Sequence, residues 1–525
     1  EDEASWGSLG AGTGEEPALG GRRSTVSARQ LGALRRHHRE QRQAGASLVQ
    51  VTQLARARRP QLGRLTDEGS EFVGEIGVGT IKVCPANGTC TEKAQVWIKC
   101  VFDTGSTNMW ANSVYCQDKN MPCADPTRAY YSCDESKTCK KDEDAAKQWK
   151  DLRIQFGTGS MAGPQLQDDV RVGSYLARGQ VFGAIREQVG AIFKAMRIEG
   201  ILGLAFPSMS ANGVTPFFDN MIQQRSMDKN EFAFYYSLYH PTNNAVFWGG
   251  VSRDFFEGEI MYFPVTDAYY WATDMPSFKI GDTPMLNAEL AKKMTGSWGF
   301  ANSPKAIIDS GTTYFTAHGE LYEQIMARLP EAQCADMTKE SHPDITITLV
   351  NAAGEHQDFV FTSDQYMLGK DKCTAAFMRV DIPEEHGPGM IMGETFMRYH
   401  FSVFDRRDGR PENARIGFAK AKHGDEVGAA LNKMLETKEG AREPAVGESL
   451  PAKESDPAHA KLAGGKLLPA IAVPMAAPVP VAAAALLSTA HEVSSTDNLD
   501  NSRSGILLYP RVLAPWPEQH RRLPK

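Results

Sequence analysis

No two of the nine cysteines stand at C-x-x-C spacing, and no H-E-x-x-H occurs. Zinc ribbons, thioredoxin-like redox sites and zincin helices therefore have nothing to build on, and no metal or other cofactor is expected. A strong charge imbalance is also missing. The net charge is -7, which gives no reason to expect nucleic acid as a partner. Long amphipathic periods are few, so the chain is not a helical bundle. No cleavable leader is visible at Glu1, as expected where the numbering starts after its removal. The uncharged run 467–487 is long enough to cross a bilayer, yet Pro469, Pro474, Pro478 and Pro480 would break the helix that lipid requires. A low-complexity tail is the preferred reading, and a membrane partner is argued against.

What is present suits a folded secreted protein. The 525 residues, 42% apolar and 23% charged, suffice for two or three domains with full cores. Three cysteine pairs are close in sequence: Cys84/Cys90, Cys116/Cys123 and Cys133/Cys139. Short-loop disulfides in an oxidising compartment are expected. Cys100 lies in an apolar run and reads as a free, buried thiol. Asn87-Gly88-Thr89 is a glycosylation triplet in an expected surface loop. From Gly20 to Arg64 there are eleven arginines and one acid, Glu40, ahead of an acidic remainder. Such a basic segment is a solvated tail or folds across the acidic domain.

Four zones follow: 1–65 basic, 66–262 and 263–422 globular, and 423–525 rich in Ala and Pro. Helical stretches are expected around 28–42 and 46–57. In the globular part, short β-branched and aromatic runs at 72–78, 96–102, 152–156, 233–238, 245–248, 345–349, 359–361 and 401–404 alternate with glycine turns. They read as mostly β, with helices over 216–225 and 320–329.

An internal echo carries the chemistry. Val101-Phe102-Asp103-Thr104-Gly105-Ser106-Thr107 is answered by Ile307-Ile308-Asp309-Ser310-Gly311-Thr312-Thr313. Ile201-Leu202-Gly203-Leu204 follows the first, and Ile391-Met392-Gly393 the second. In each copy a strand delivers an Asp to a turn that Gly105 or Gly311 closes without a Cβ clash. Thr104 and Ser310 can hydrogen-bond across to the opposite turn, while Ser106 and Thr312 can donate to the outer carboxylate oxygens. Two carboxyls brought together this way cannot both ionise, so they share a proton, one acting as acid and the other as base. The aspartic-protease dyad is the standard example of that coupling. A lone D-[ST]-G-[ST] is usually just an Asp-Gly turn. Two copies, each with an apolar-apolar-Gly partner, argue otherwise.

Over 71–420 the chain resembles the pepsin family of aspartic proteases. Glu71-Phe72-Val73-Gly74-Glu75-Ile76-Gly77-Val78-Gly79-Thr80 is similar to the family's opening strand, and Gly157-Thr158-Gly159-Ser160-Met161 to the flap hairpin that closes over substrate. Residues 200–206, 215–220 and 390–404 match further family segments. The resemblance implies two β lobes (66–262 with Asp103 and the flap, 263–422 with Asp309) related by a pseudo-twofold axis about a central cleft. It implies an endopeptidase in which water held between Asp103 and Asp309 attacks the peptide carbonyl of an extended substrate, with no cofactor. Phe156, Gly157, Thr158 and Gly159 would form the flap. Trp110 stands at the wall position beneath it, or is a packed core indole.

The resemblance also implies a first short bridge, Cys116–Cys123, and a C-terminal-lobe bridge, Cys334–Cys373. Cys84–Cys90 and Cys133–Cys139 lie in stretches inserted relative to pepsin. Phe156 replaces the usual flap Tyr, which removes one hydrogen bond toward Trp110, worth about 0.5–1.5 kcal/mol. That Phe and the cysteine-bearing insertions resemble apicomplexan maturases of the plasmepsin IX and X type. Arg22-Arg23-Ser24 through Arg29-Gln30-Leu31 resembles an inhibitory prosegment, which makes residues 1–65 an internal partner of the acidic cleft. The expected protein is a monomer made as a zymogen for the secretory or endosomal pathway, in an acidic organelle or secreted. The rival reading is a peptide-binding module of the same fold, but the intact second turn favours the enzyme.

Overall fold

β-branched and aromatic residues cannot bury both faces of a short strand without a second layer, and the chain meets that need with sheets throughout. The structure, a computed structural model, describes residues 60–68, 71–85, 88–141, 150–156, 159–190, 192–195, 198–287, 304–380, 389–439 and 510–511. The helices expected at 28–42 and 46–57, the run 467–487 and Asn87 lie outside the described residues. Strands form at Phe72–Val78, Val96–Asp103, Asp151–Phe156, Glu231–Tyr235, Asn244–Trp248, Ile345–Val350, His356–Phe361 and His400–Asp405, where the apolar runs placed them. The helices expected over 216–225 and 320–329 form at Phe217–Gln223 and Gly319–Arg328.

The architecture is mostly β and bilobed, and the same strand arrangement occurs twice. In the first half, Gly200–Gly203 pairs parallel with Val96–Asp103 and antiparallel with Met109–Asn112, which in turn lies parallel to Tyr175–Ile185. In the second, Gly389–Met392 pairs parallel with Lys305–Ile308 and antiparallel with Phe315–Ala317, which lies parallel to Phe377–Arg379. Each apolar-apolar-Gly segment is thus the strand beside its Asp-bearing strand. A shared antiparallel sheet joins the halves, because Glu231–Tyr235 pairs with both Asn244–Trp248 and His400–Asp405.

Two elements depart from the sequence reading. Gln61–Asp67, placed mostly within the basic segment ending at 65, is a strand of the central sheet, flanked by Asn244–Trp248 and Phe72–Val78. Leu62 and Leu65 are buried there; Gly63 and Arg64 between them hid the alternation. Residues read as the start of a tail, Asp425–Glu439, are a helix that buries Val427 and Leu431 against Phe247, Phe401 and Ala233. The four-residue step from Val427 to Leu431 was the signal. Further along, Pro510–Arg511 pairs with Gln155–Phe156 of the flap strand. No helix among the described residues is long and apolar enough to cross a membrane.

Four disulfides close the loops: Cys84–Cys90, Cys116–Cys123, Cys133–Cys139 and Cys334–Cys373. Cys100 is free and buried. Burial pushes its thiol well above the usual range, with Glu199 adding to the rise, so it packs as a hydrophobe and is not a nucleophile.

Candidate active site

Strands end where glycine permits a reversal, and both Asp strands end at the same place in space. Asp103 and Asp309 are fully buried, and each carboxyl lies against the glycine of the opposite turn, so the two face one another. The two turns are locked reciprocally. Thr104 N–H donates to Ser310 Oγ at 3.1 Å, and Thr104 Oγ1 donates to Ile308 O at 2.9 Å. In return Ser310 N–H donates to Thr104 Oγ1 at 2.9 Å, and Ser310 Oγ donates to Phe102 O at 2.6 Å. These bonds span about two hundred residues of sequence, so they fix the separation of the carboxyls independently of either lobe's own packing.

Each carboxylate has its own donors. Asp103 accepts from Gly105 N–H at 2.9 Å and from the Ser106 hydroxyl. Asp309 accepts from Gly311 N–H at 2.8 Å and from Thr312 Oγ1 at 2.6 Å. A Cβ at Gly105 would collide with the Asp309 carboxyl, and one at Gly311 with that of Asp103. The glycines are required by this close approach as much as by the turn.

Burial pushes both carboxyls above the ordinary aspartate range. At Asp103 the neighbouring charge of Asp309 adds to the rise, and Ser106 and Gly105 oppose it. At Asp309 the donors Thr312 and Gly311 oppose burial. The pair therefore holds one proton more tightly than isolated carboxyls do.

The flap hairpin runs from Asp151–Phe156 into Gly159–Val172, with Phe156 opposite Gly159; Gly157 and Thr158 lie outside the described residues. Gly159 has no room for a Cβ beside Val189 O and the Phe193 ring. Leu152, Ile154 and Met161 pack with Trp110, Phe193, Ile198 and Ile201 in one apolar cluster at the base of this hairpin. Trp110 is buried, as a core indole would be, and its Nε1–H has no hydrogen-bond partner among the described residues. An orphaned buried donor costs about 1–3 kcal/mol, and a phenyl at 156 offers it no acceptor. Phe156→Tyr is accordingly expected to tighten a statine-type inhibitor by up to about tenfold, the worth of one net hydrogen bond. An unchanged inhibition constant would show that the phenol does not reach the indole.

The sequence reading overlooked Glu394 and Arg398, which sit behind the Asp309 turn. An acid interrupting the apolar run from Met390 to Phe396 was the available signal.

The sequence profile of the family described as "Eukaryotic aspartyl protease" matches residues 88–421. Aspartic protease 3 of Toxoplasma gondii is 36% identical over 382 residues, 71% of this chain; the match spans only 54% of that relative's length. Cathepsin D of Chionodraco hamatus is 32% identical over 364 residues, covering 67% of this chain and 82% of the relative. Pepsin A of Sus scrofa is 30% identical over 358 residues, with 67% and 81% covered.

Proposed function

This chain belongs to the eukaryotic aspartyl protease family and is an aspartic endopeptidase, and on that premise we propose that Asp103 and Asp309 are its catalytic pair. One observation carries the proposal: two carboxyls from separate halves, each set against the opposite turn's glycine within a reciprocal lock of Thr104 and Ser310. In this reading the ionised member takes a proton from a bound water as its oxygen attacks the scissile carbonyl. The protonated member donates to the carbonyl oxygen. Collapse of the tetrahedral species returns a proton to the leaving amine, so no covalent enzyme intermediate forms. Ser106, Thr312, Gly105 and Gly311 keep the carboxyls coplanar. The flap, Phe156 to Gly159 above Trp110, would cover an extended peptide through strand-like hydrogen bonds.

The finer reading is a zymogen of the secretory or endosomal pathway that matures other secreted proteins, working as a monomer in an acidic organelle or after secretion. Its support is the basic stretch before Pro60, the four disulfides, and the residues shared in kind with apicomplexan maturases. Digestion of a peptide library by the processed enzyme across pH 4 to 7 tests it. Cleavage within chains, blocked by a statine-type mimic, is expected. Binding of peptides without any cleavage would support a recognition module.

A further inference from the structure

One loop joins the first Asp turn to the root of the flap hairpin. The chain that leaves Gly200–Gly203 is tied to that turn along its length. Leu204 N–H donates to Asp103 O at 2.8 Å, Ala205 N–H to Ser106 O at 2.9 Å, and Thr107 Oγ1 to Phe206 O at 3.1 Å. The buried Asn108 then holds Ala211 at both backbone groups. Ala211 N–H donates to Asn108 Oδ1 at 3.0 Å, and Asn108 Nδ2 donates to Ala211 O at 3.5 Å. Ala211 itself packs in the apolar cluster with Leu152, Ile154 and Met161 of the hairpin. Asn212 follows in the left-handed conformation (φ 57°, ψ 16°), which few residues other than Gly, Asn and Asp adopt. Its Nδ2 donates to Asp151 O at 3.1 Å and to Gln165 Oε1 at 2.5 Å, so both amide hydrogens are committed. Asp151 begins one strand of the hairpin, and the buried Gln165 lies on the other. Lys150 O accepts from Gln165 N–H at 2.7 Å. Carbonyls alternate in direction along an antiparallel strand, so Asp151 O faces away from the partner strand, where Asn212 meets it.

We propose that Asn212 is a positioning residue for the flap: with Asn108 and Ala211 it forms a strut that fixes the root of the hairpin relative to the Asp103 turn. The inference rests on the reading of this hairpin as the flap that covers substrate. Five residues separate Asp151 at the root from Phe156 near the tip, about 16 Å at about 3.3 Å per residue. Over that lever a small rotation at the root becomes a large displacement at the tip, where strand-like bonds to a peptide would form. The left-handed backbone serves the same end. It reverses the chain between Ala211 and Val214, whose N–H donates to Ala211 O at 3.3 Å. Ala211 can then pack inward while the amide of the exposed Asn212 reaches both strands.

The test compares wild type with Asn212→Gly, which keeps the left-handed backbone and removes only the side-chain bridge. KM for a peptide and the inhibition constant of a statine-type mimic are each expected to rise by about tenfold, the worth of one to two net hydrogen bonds. The turnover number should stay within about twofold. In the full chain without inhibitor, backbone hydrogen exchange over 151–156 is expected to quicken by a similar factor. Asn212→Asp is the second arm and carries the test should the Gly variant fold poorly. It tolerates the same backbone but has no hydrogen to give Asp151 O, so a smaller rise in the same constants is expected. Wild-type KM, inhibition constant and exchange in either variant would overturn the proposal. A lower Tm with those three unchanged would make Asn212 a merely structural residue and overturn it too. The exchange measurement needs no turnover, so faster exchange with unchanged KM and inhibition constant would fault the flap reading and leave the strut standing.

Discussion

Asp309→Asn is expected to give a folded chain that has lost peptide cleavage by about 10³-fold or more. An amide cannot take the proton from water, so the variant removes the acid–base exchange and leaves the scaffold in place. Asn Oδ1 can still accept from Gly311 N–H, and the Thr312 hydroxyl can accept from the new amide. Stability should move the other way. Burial raises both carboxyls above their ordinary values, and the charge of Asp309 adds to the rise at Asp103. Their stabilising contribution is therefore whole below about pH 4 and lost as pH climbs through the raised values. Removing one of them should raise Tm at pH 7 and change it little at pH 4, as read by scanning fluorimetry alongside a peptide assay. Retained cleavage would remove Asp309 from the chemistry. Lost cleavage with a lower Tm at both pH values would mean that the substitution had only unfolded the site.

The position of the N-terminal cut has the next largest effect. A chain beginning at Pro60 is expected to fold, and one beginning at Thr66 is not. Truncation to Thr66 removes Gln61 to Leu65, whose residues pair with Trp248 through Asn244 on one side, with Leu65 opposite Gly74 on the other. Leu65 is fully buried and its side chain occupies the space where Gly74 lacks a Cβ, beside the Phe102 ring that precedes Asp103. Arg64 donates to Thr242 O at 2.6 Å and to Asn432 Oδ1 at 2.7 Å, tying the strand to the helix Asp425–Glu439. Losing two buried leucines costs about 4–10 kcal/mol, against a total stability of about 5–15 kcal/mol. On the proposed zymogen reading, the activating cut falls ahead of Gln61, in the Arg56-Ala57-Arg58-Arg59 stretch or earlier. Mass spectrometry of the processed N-terminus measures this directly. An active enzyme starting at Thr66 would contradict the account.

Much of the site was legible because its information is local. An Asp, a hydroxyl, a Gly and a second hydroxyl carry their own turn geometry, and their repetition announces a second copy. Even the cross-turn roles of Thr104 and Ser310 follow once two such turns are set face to face. The contributions that escaped notice depend on distant partners. Nothing near Glu394 says that its N–H will donate to Thr312 O, about eighty residues earlier and beside Asp309. Nor does the sequence around Trp110 show that its indole N–H will be buried without an acceptor among the described residues. Gln61–Asp67 was hidden for a different reason: Gly63, Arg64 and Asp67 look like loop residues until two neighbouring strands claim their backbone groups. The Asp425–Glu439 helix escaped because its apolar stripe is thin and the alanine-rich stretch after it dominates the composition.

The most direct measurement is a crystal structure of the processed enzyme bound to a statine-type mimic, whose hydroxyl stands for the attacking water. The hydroxyl oxygen is expected within about 2.6–3.2 Å of carboxyl oxygens from both Asp103 and Asp309. A mimic seated elsewhere, or a hydroxyl reached by one carboxyl alone, would contradict a shared catalytic pair.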